Sequence, residues 1–529
     1  MFPASVTGLF RVAISHRFIT ALAVLALFAG LANAQVAIYG ASPGPFLCTA
    51  SVAVPPTMRA EGLTEFVGDI VLVCTGGPTP VVGSQLPTAN FTVSFGADVT
   101  SRLLGYSASV DTSPYTSEAL LLIDEPGSGL TMGGVPVPGW GPGAPQTLCG
   151  VGSVPSSTIG AGPGPGGCHE YAQQLSNGDF VMSGSAGSAV PGANVFAGVW
   201  GGPGPANQVT FYGIPIMPPA VANVARVFRM TNIRINANAI AVSGGMSQVS
   251  ASISISGSTS VPVSQPLLTV GFVQSGLTFQ VRTPDDSAVL TASNFSGCKA
   301  DQSCAYGILR FSENFGTAFK TRVAPTTSTN GQSSSPNPGQ NIPGVIYNSE
   351  SDFIFPGITG TSNNSVAGLA DFGTRLKAEF TDVPAGVSIY VATTNVANLV
   401  TPPPGNSTTS FAQLVTSGTA ADGNGTIPSA TAIGSHAWDG TPAVYSYARV
   451  PVVNGSATAV WEIVNTNTAV PENFNFPVWV VFGSGATPEL LNIAGYLAPN
   501  LDPDASSMVD GNAAQQTTYP VPRFTSAPQ

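Results

Sequence analysis

Only three histidines occur in the chain, and His169 and His436 are the two that lie beyond the N-terminal apolar segment. A Ser-His-Asp triad would need one of them as its base. His169 stands in "GCHEY" and His436 in "GSHAWDG". No G-x-S-x-G elbow accompanies either one, and "HEYAQ" lacks the second histidine of a zinc-binding helix. Both read as loop histidines. Glu118, Asp124 and Glu125 are candidates for the paired carboxylates of a glycoside hydrolase, although acids at such spacing also occur on ordinary surfaces. Asp502, Asp504 and Asp510 could offer hard oxygen ligands to Ca²⁺. Against an EF-hand loop, however, Ser507 replaces the turn glycine and Ala513 stands where the glutamate belongs, so this stretch reads as a solvated acidic tail. The residues assign no catalytic, cofactor-binding or metal role, and no cofactor is expected.

The cysteines carry a different chemistry. Cys48, Cys74, Cys149, Cys168, Cys298 and Cys304 fall in three neighbouring pairs. Their spacings are not those of metal knuckles. Fifteen connectivities are open to six cysteines, and local pairing (48–74, 149–168, 298–304) is the economical one. In "DIVLVC", Ile70, Leu72 and Cys74 share one face of a strand, so Cys74 should point into a core and tie its strand to the one near Cys48.

Disulfides require an oxidising compartment, and the N-terminus supplies the route to one. Arg11 and Arg17 precede the apolar "FITALAVLALFAGL", which is followed by "ANAQ". This is the pattern of a Sec-type signal peptide, residues 1–34, cleaved after Ala34. No other stretch suggests a membrane span. Loss of the two arginines takes the net charge from −11 to −13, a balance that excludes nucleic acid as a partner. The expected location is secreted, extracellular or at the cell surface.

The elements that must position these residues are strands. Charged residues are 8% of the chain, against about 25% in typical soluble proteins. Period-two alternation recurs throughout. Phe91, Val93 and Phe95 share one face; so do Ala251, Ile253 and Ile255; Leu277, Phe279 and Val281; Leu376, Ala378 and Phe380; and Val387, Ile389 and Val391. "SFAQLVTSG" and "PELLNIAGYL" are the only helix candidates. "AVWEIV" and "PVWVVF" are apolar on both faces, so Trp461 and Trp479 are expected in a core. Alternatively, the aromatics of this region, Trp438, Tyr445, Tyr447, Trp461 and Trp479, could stack on sugar rings. The predicted fold class is all-β: tandem antiparallel β-sandwich domains of immunoglobulin-like or adhesin-like type. The expected divisions are 35–265, with a Gly/Pro-rich insertion at 133–167, then 266–400, 401–500, and an extended tail at 501–529.

"RAEGLTEFVGDIVLVCTGG" (59–77), "ANFTVSFGADVTSRLL" (89–104), "SEALLLIDEP" (117–126), "FRMTNIRINA" (228–237) and "VPRF" (521–524) together resemble a group of uncharacterised, signal-peptide-bearing proteins of soil bacteria. The resemblance implies a large, secreted or surface, β-rich protein and carries no activity. The expectation is a structural or adhesive protein without catalysis. The alternatives are an array of carbohydrate-binding modules or a glycoside hydrolase on a β-scaffold. The expected partners are extracellular polysaccharide or other surface proteins. The strand-like "QVAIYG", residues 35–40, is expected to complete its own sheet; addition to a neighbour's open edge, and hence self-assembly, is the alternative.

Overall fold

The computed structural model describes residues 44–52, 54–103, 116–124, 131–132, 135–136, 149, 168–174, 180–187, 192–201, 206–219, 225–242, 245–283, 286–290, 307–322, 326–327, 333–334, 349–353, 368–396, 409–415, 435–436, 445–483, 492–501 and 520–528. Among these the secondary structure is strand, with one 3-10 turn at Ala237–Ala239. The expected all-β class holds. No helix among the described residues is long and apolar enough to cross a membrane. The leader, residues 35–40, Glu125, Cys298, Cys304, Trp438, Asp502, Asp504 and Asp510 lie outside the described residues, as does most of the 133–167 insertion.

Eleven strands between Leu47 and Gln274 form one sheet. Their order is Val263–Ser264, Leu47–Ser51, Ile70–Thr75, Arg226–Thr231, Thr116–Ile123, Val195–Trp200, Gln208–Pro215, Thr88–Phe95, Ser247–Gly257, Leu267–Gln274 and Thr57–Arg59. The two outermost pairings are parallel; the rest are antiparallel. Phe91 and Phe228 lie four strands apart in this order, about 19 Å across a flat sheet. Their ring centroids are nevertheless 5.1 Å apart. The sheet therefore curls until its inner face meets itself, closing a core that includes Ile70, Leu72, Phe91, Val93, Phe211, Phe228 and Ala251. This is the alternation read from the sequence, with Thr92, Ser94, Ser252 and Ser254 turned outward.

Cys48 and Cys74 are direct cross-strand partners and are disulfide-bonded, as are Cys149 and Cys168. Cys74 is fully buried alongside Ile70 and Leu72.

From Leu277 onward a second sandwich forms. One sheet runs Leu277–Arg282, Gly307–Glu313, Asn473–Phe482, Val387–Ala392, Tyr445–Val450 and Ser435–His436. The other runs Phe411–Val415, Ala457–Asn465, Arg375–Thr381 and Asn492–Ala498. Between them lie Leu309, Phe311, Leu376, Phe380, Ile389, Val391, Trp461, Phe476 and Val478. The passage between the two curled structures falls between Gln274 and Leu277 rather than at 265/266, because Leu267–Gln274 pairs along Ser247–Ser252. The expected division at 400/401 runs through this sandwich, since both of its sheets draw strands from either side of it.

Both helix candidates are strands. Phe411–Val415 is buried at every position, so it shows no alternation, and Asn492–Ala498 pairs residue for residue with Arg375–Thr381. The tryptophans separate. Trp461 is in the main core, stacked on Phe476 at 4.1 Å. Trp479 faces the other way, in a smaller cluster with Ile308, Ala392, Val396 and Tyr447.

Candidate functional site

Among the described residues, eight lysines and arginines are buried: Arg59, Arg102, Arg226, Arg229, Arg234, Lys320, Arg375 and Arg523. Charged side chains are almost never fully buried unless paired, so their partners define what they do. Most converge where the first sheet meets residues 318–322, 349–353, 368–374 and 521–525.

Arg59 ends the edge strand Thr57–Arg59 and is 1% exposed. Its guanidinium donates to Glu65 at 2.6 and 2.9 Å, to Glu350 at 2.8 and 3.2 Å, and to the Ala318 carbonyl at 3.0 Å. It stands 4.6 Å over the Phe524 ring. Glu350 also accepts from the Thr374 hydroxyl at 2.6 Å. Arg234 donates to Glu118 at 3.1 Å, to the Thr64 carbonyl at 3.1 Å and to the Glu350 carbonyl at 2.7 Å, with its guanidinium 3.4 Å over Phe66. Arg102 reaches Asp371 at 3.1 Å. The Arg59–Glu350 bonds alone join residues 291 apart in sequence. Glu61 closes the passage itself by accepting from Gly276 N–H at 2.9 Å and the Ser275 hydroxyl at 2.7 Å. Gly276 has to be glycine there, because a Cβ would lie 2.5 Å from Arg59 Cγ.

Burial opposes ionisation, and the partners decide the outcome. For Glu350, burial is outweighed by Arg59 and Lys320, and the carboxyl is held below its ordinary range. Burial, followed by the repulsion of Arg59, lowers Lys320 despite Glu65 and Glu350. Glu313 lies at the edge of the seam and accepts from Phe319 N–H at 2.7 Å and Glu472 N–H at 3.0 Å. Burial outweighs those bonds and pushes Glu313 up to about 8. The folded protein thus keeps a proton on Glu313 that the unfolded chain releases near its ordinary value. Stability contributed by this group is present at low pH and falls as pH rises from about 4.5 to about 8, by at most about 1.4 kcal/mol per pH unit. Melting temperatures measured from pH 5 to 8 should decline, and decline less in Glu313→Gln.

Of the carboxylates proposed from sequence for hydrolysis, Glu118 and Asp124 are held as buried partners of arginines. Glu118 is fully buried; besides Arg234 it accepts from Arg102 N–H at 3.0 Å and Gly368 N–H at 2.9 Å. Asp124 is paired with Arg226 inside the first core. His169 is exposed, with Nδ1 2.7 Å from the Gln85 amide. His436 falls in the strand Ser435–His436. Among the described residues, no group of three or more His, Cys, Asp or Glu could hold a metal ion. The sequence reading did not select Arg59, Arg234, Glu65 or Glu350. Their available signal was charge embedded in otherwise apolar strands, as in "RAEGLTEF" and "FRMTNIRI".

A second surface is free of charge. On the outer face of the first sheet, Ser254, Thr92 and Thr210 form one cross-strand row, and Ser252, Ser94 and Gln208 the next. A bulge follows Phe211. Within it Gly213 has φ +62° and donates its N–H to Asn90 Oδ1 at 2.9 Å, and neighbouring Tyr212 is 41% exposed. None of the strands Thr88–Phe95, Gln208–Pro215, Ser247–Gly257 and Leu267–Gln274 carries an ionisable acid or base other than that tyrosine.

The sheets and the seam define an all-β protein of two sandwiches joined by buried ion pairs. No protein-family model matches the chain, and no curated protein matches it in sequence. Among solved structures, the C-terminal domain of the AgI/II polypeptide BspA of Streptococcus agalactiae aligns over 86% of this chain and 96% of that one, at 7% identity and a TM-score of 0.25. A partial N-terminal region of an enterococcal surface protein aligns over 87% and 97%, at 8% identity and a TM-score of 0.12. At these TM-scores the fold class rests on the sheets themselves.

Proposed function

We propose that this chain is a structural or adhesive protein, exported through its N-terminal leader and acting outside the cell or on its surface without catalysing a reaction. The observation that carries this reading is where the charge goes. The acids and bases that could do chemistry, Glu118, Asp124, Arg59, Arg234 and Glu350 among them, are engaged as one another's counter-ions inside the fold. On the outer face of the strands Thr88–Phe95, Gln208–Pro215 and Ser247–Gly257, what is turned outward is neutral: hydroxyl, amide and the Tyr212 ring.

That neutral face also favours a second reading, in which the chain holds an uncharged polysaccharide. Hydroxyl rows can exchange hydrogen bonds with sugar hydroxyls, and an exposed tyrosine presents a flat apolar ring with a polar tip. Retention of the leader-free chain on insoluble neutral polysaccharides (cellulose, chitin and an α-glucan), with alginate as the anionic control, tests both. The adhesive reading expects retention or attachment to cells to survive His169→Ala and His436→Ala. A turnover activity of the unmodified chain that vanishes in either folded variant would overturn the non-catalytic account. The polysaccharide reading expects Tyr212→Ala to weaken retention about tenfold, the effect of losing roughly 1.4 kcal/mol of contact, and an unchanged variant would overturn it.

A further inference from the structure

The segment "SESDF", Ser349–Phe353, is buried from end to end, with no residue more than 3% exposed. It lies in the seam as a strap. Glu350 N–H and the Ser349 hydroxyl donate to the Thr321 carbonyl at 2.7 and 2.8 Å. The Glu350 carboxylate takes Arg59, and its carbonyl takes Arg234. The Phe353 carbonyl accepts from the Asn232 amide at 2.6 Å, and its ring centroid is 5.7 Å from the Arg229 guanidinium. One group in the strap is not satisfied. Asp352 Oδ2 accepts from the Thr231 hydroxyl at 3.1 Å, but Oδ1 is buried without a hydrogen-bond partner. A bare carboxylate oxygen in such a place is costly. The nearby carboxylate of Asp69 is bonded to Arg229 at 2.6 Å, so two acids face one guanidinium. A proton on Oδ1 resolves the conflict, because it turns the orphan acceptor into a donor and removes one of two like charges.

We propose that Ser349–Phe353 is a proton-operated clasp, held in the seam while Asp352 is a neutral carboxylic acid beside Asp69 and loosened when that proton leaves. The charged groups around Asp352 come from every neighbouring element. They are Asp69 ahead of the Ile70–Thr75 strand, Arg229 on Arg226–Thr231, Arg234 on the next strand, and Glu118 through Gly368, whose carbonyl accepts from Asp352 N–H. On the strap itself, Glu350 is already neutralised by Arg59. Burial and then the Asp69 charge push Asp352 up to about 7, against the pull of Arg229, the Thr231 hydroxyl and Arg234. The sign follows: the clasp's stability is present at acid pH and is lost as pH rises through about 7.

Hydrogen exchange of the full leader-free chain, corrected for intrinsic rates and followed by mass spectrometry from pH 5.5 to 8.5, reads this directly. Peptides covering 349–353 should open at least tenfold more at pH 8.5 than at pH 5.5, while Ala457–Asn465 changes less. Asp352→Asn is neutral at every pH and should stay protected throughout. Asp69→Asn, which removes the opposing charge, should also flatten the profile and serves if the first variant folds poorly. Opening that is independent of pH in the unmodified chain, or a pH slope unchanged in the asparagine variants, would overturn the clasp.

Discussion

Arg59→Ala is expected to destabilise the protein by about 3–5 kcal/mol, the range for removing one member of a buried ion pair. The reason is what it leaves behind. Glu65 and Glu350 are each about 1% exposed as side chains, and without the guanidinium two buried carboxylates would share a site with only Lys320, itself lowered by burial, beside them. The Ala318 carbonyl and the face of Phe524 would lose their partner as well. Arg59→Lys should recover little, because an ammonium cannot reproduce the fork that meets both acids at once. Replacing the charged set together by apolar residues of similar volume should cost less than the single change. Urea unfolding measures all three, and a loss below about 1 kcal/mol for Arg59→Ala would mean the seam is a solvated surface pair.

Trp461→Ala should cost a similar 3–5 kcal/mol, the usual range for truncating a large buried aromatic. Trp461 is fully buried, stacks on Phe476, packs near Phe311 and donates its indole N–H to the Ala392 carbonyl at 2.8 Å. Trp479→Ala should cost less. Its cluster is small and lies on the opposite face of the six-stranded sheet, so fewer neighbours lose contact. Equal losses from the two variants would contradict the assignment of one tryptophan to the main core and the other to a satellite.

The contrast between the tryptophans marks the limit of sequence reading. Phe91, Val93 and Phe95, or Leu376, Ala378 and Phe380, were legible because period two is a local property of a strand with one dry face. Cys48 and Cys74 were legible because their strands are close in sequence and adjacent in the sheet. "AVWEIV" and "PVWVVF" read alike because a strand buried on both faces loses its alternation, and nothing local says which side is the main core. The same loss made Phe411–Val415 look helical. The passage at Ser275–Gly276 is two residues long, with no Pro-rich linker to announce it. The seam was hidden for a different reason. Arg59 meets Glu350 across 291 positions, and a low charge count suggests a weakly charged surface unless one already knows that eight of the described basic residues are inside.

If the buried ion pairs lock the two sandwiches together, the leader-free chain should unfold as one body, in keeping with Pro43–Gln529 forming a single compact unit. Scanning calorimetry tests this most directly. The expected result is one endotherm whose calorimetric and van't Hoff enthalpies agree. Two resolved endotherms, or a van't Hoff enthalpy near half the calorimetric one, would show that the sandwiches unfold independently and that the seam does not couple them.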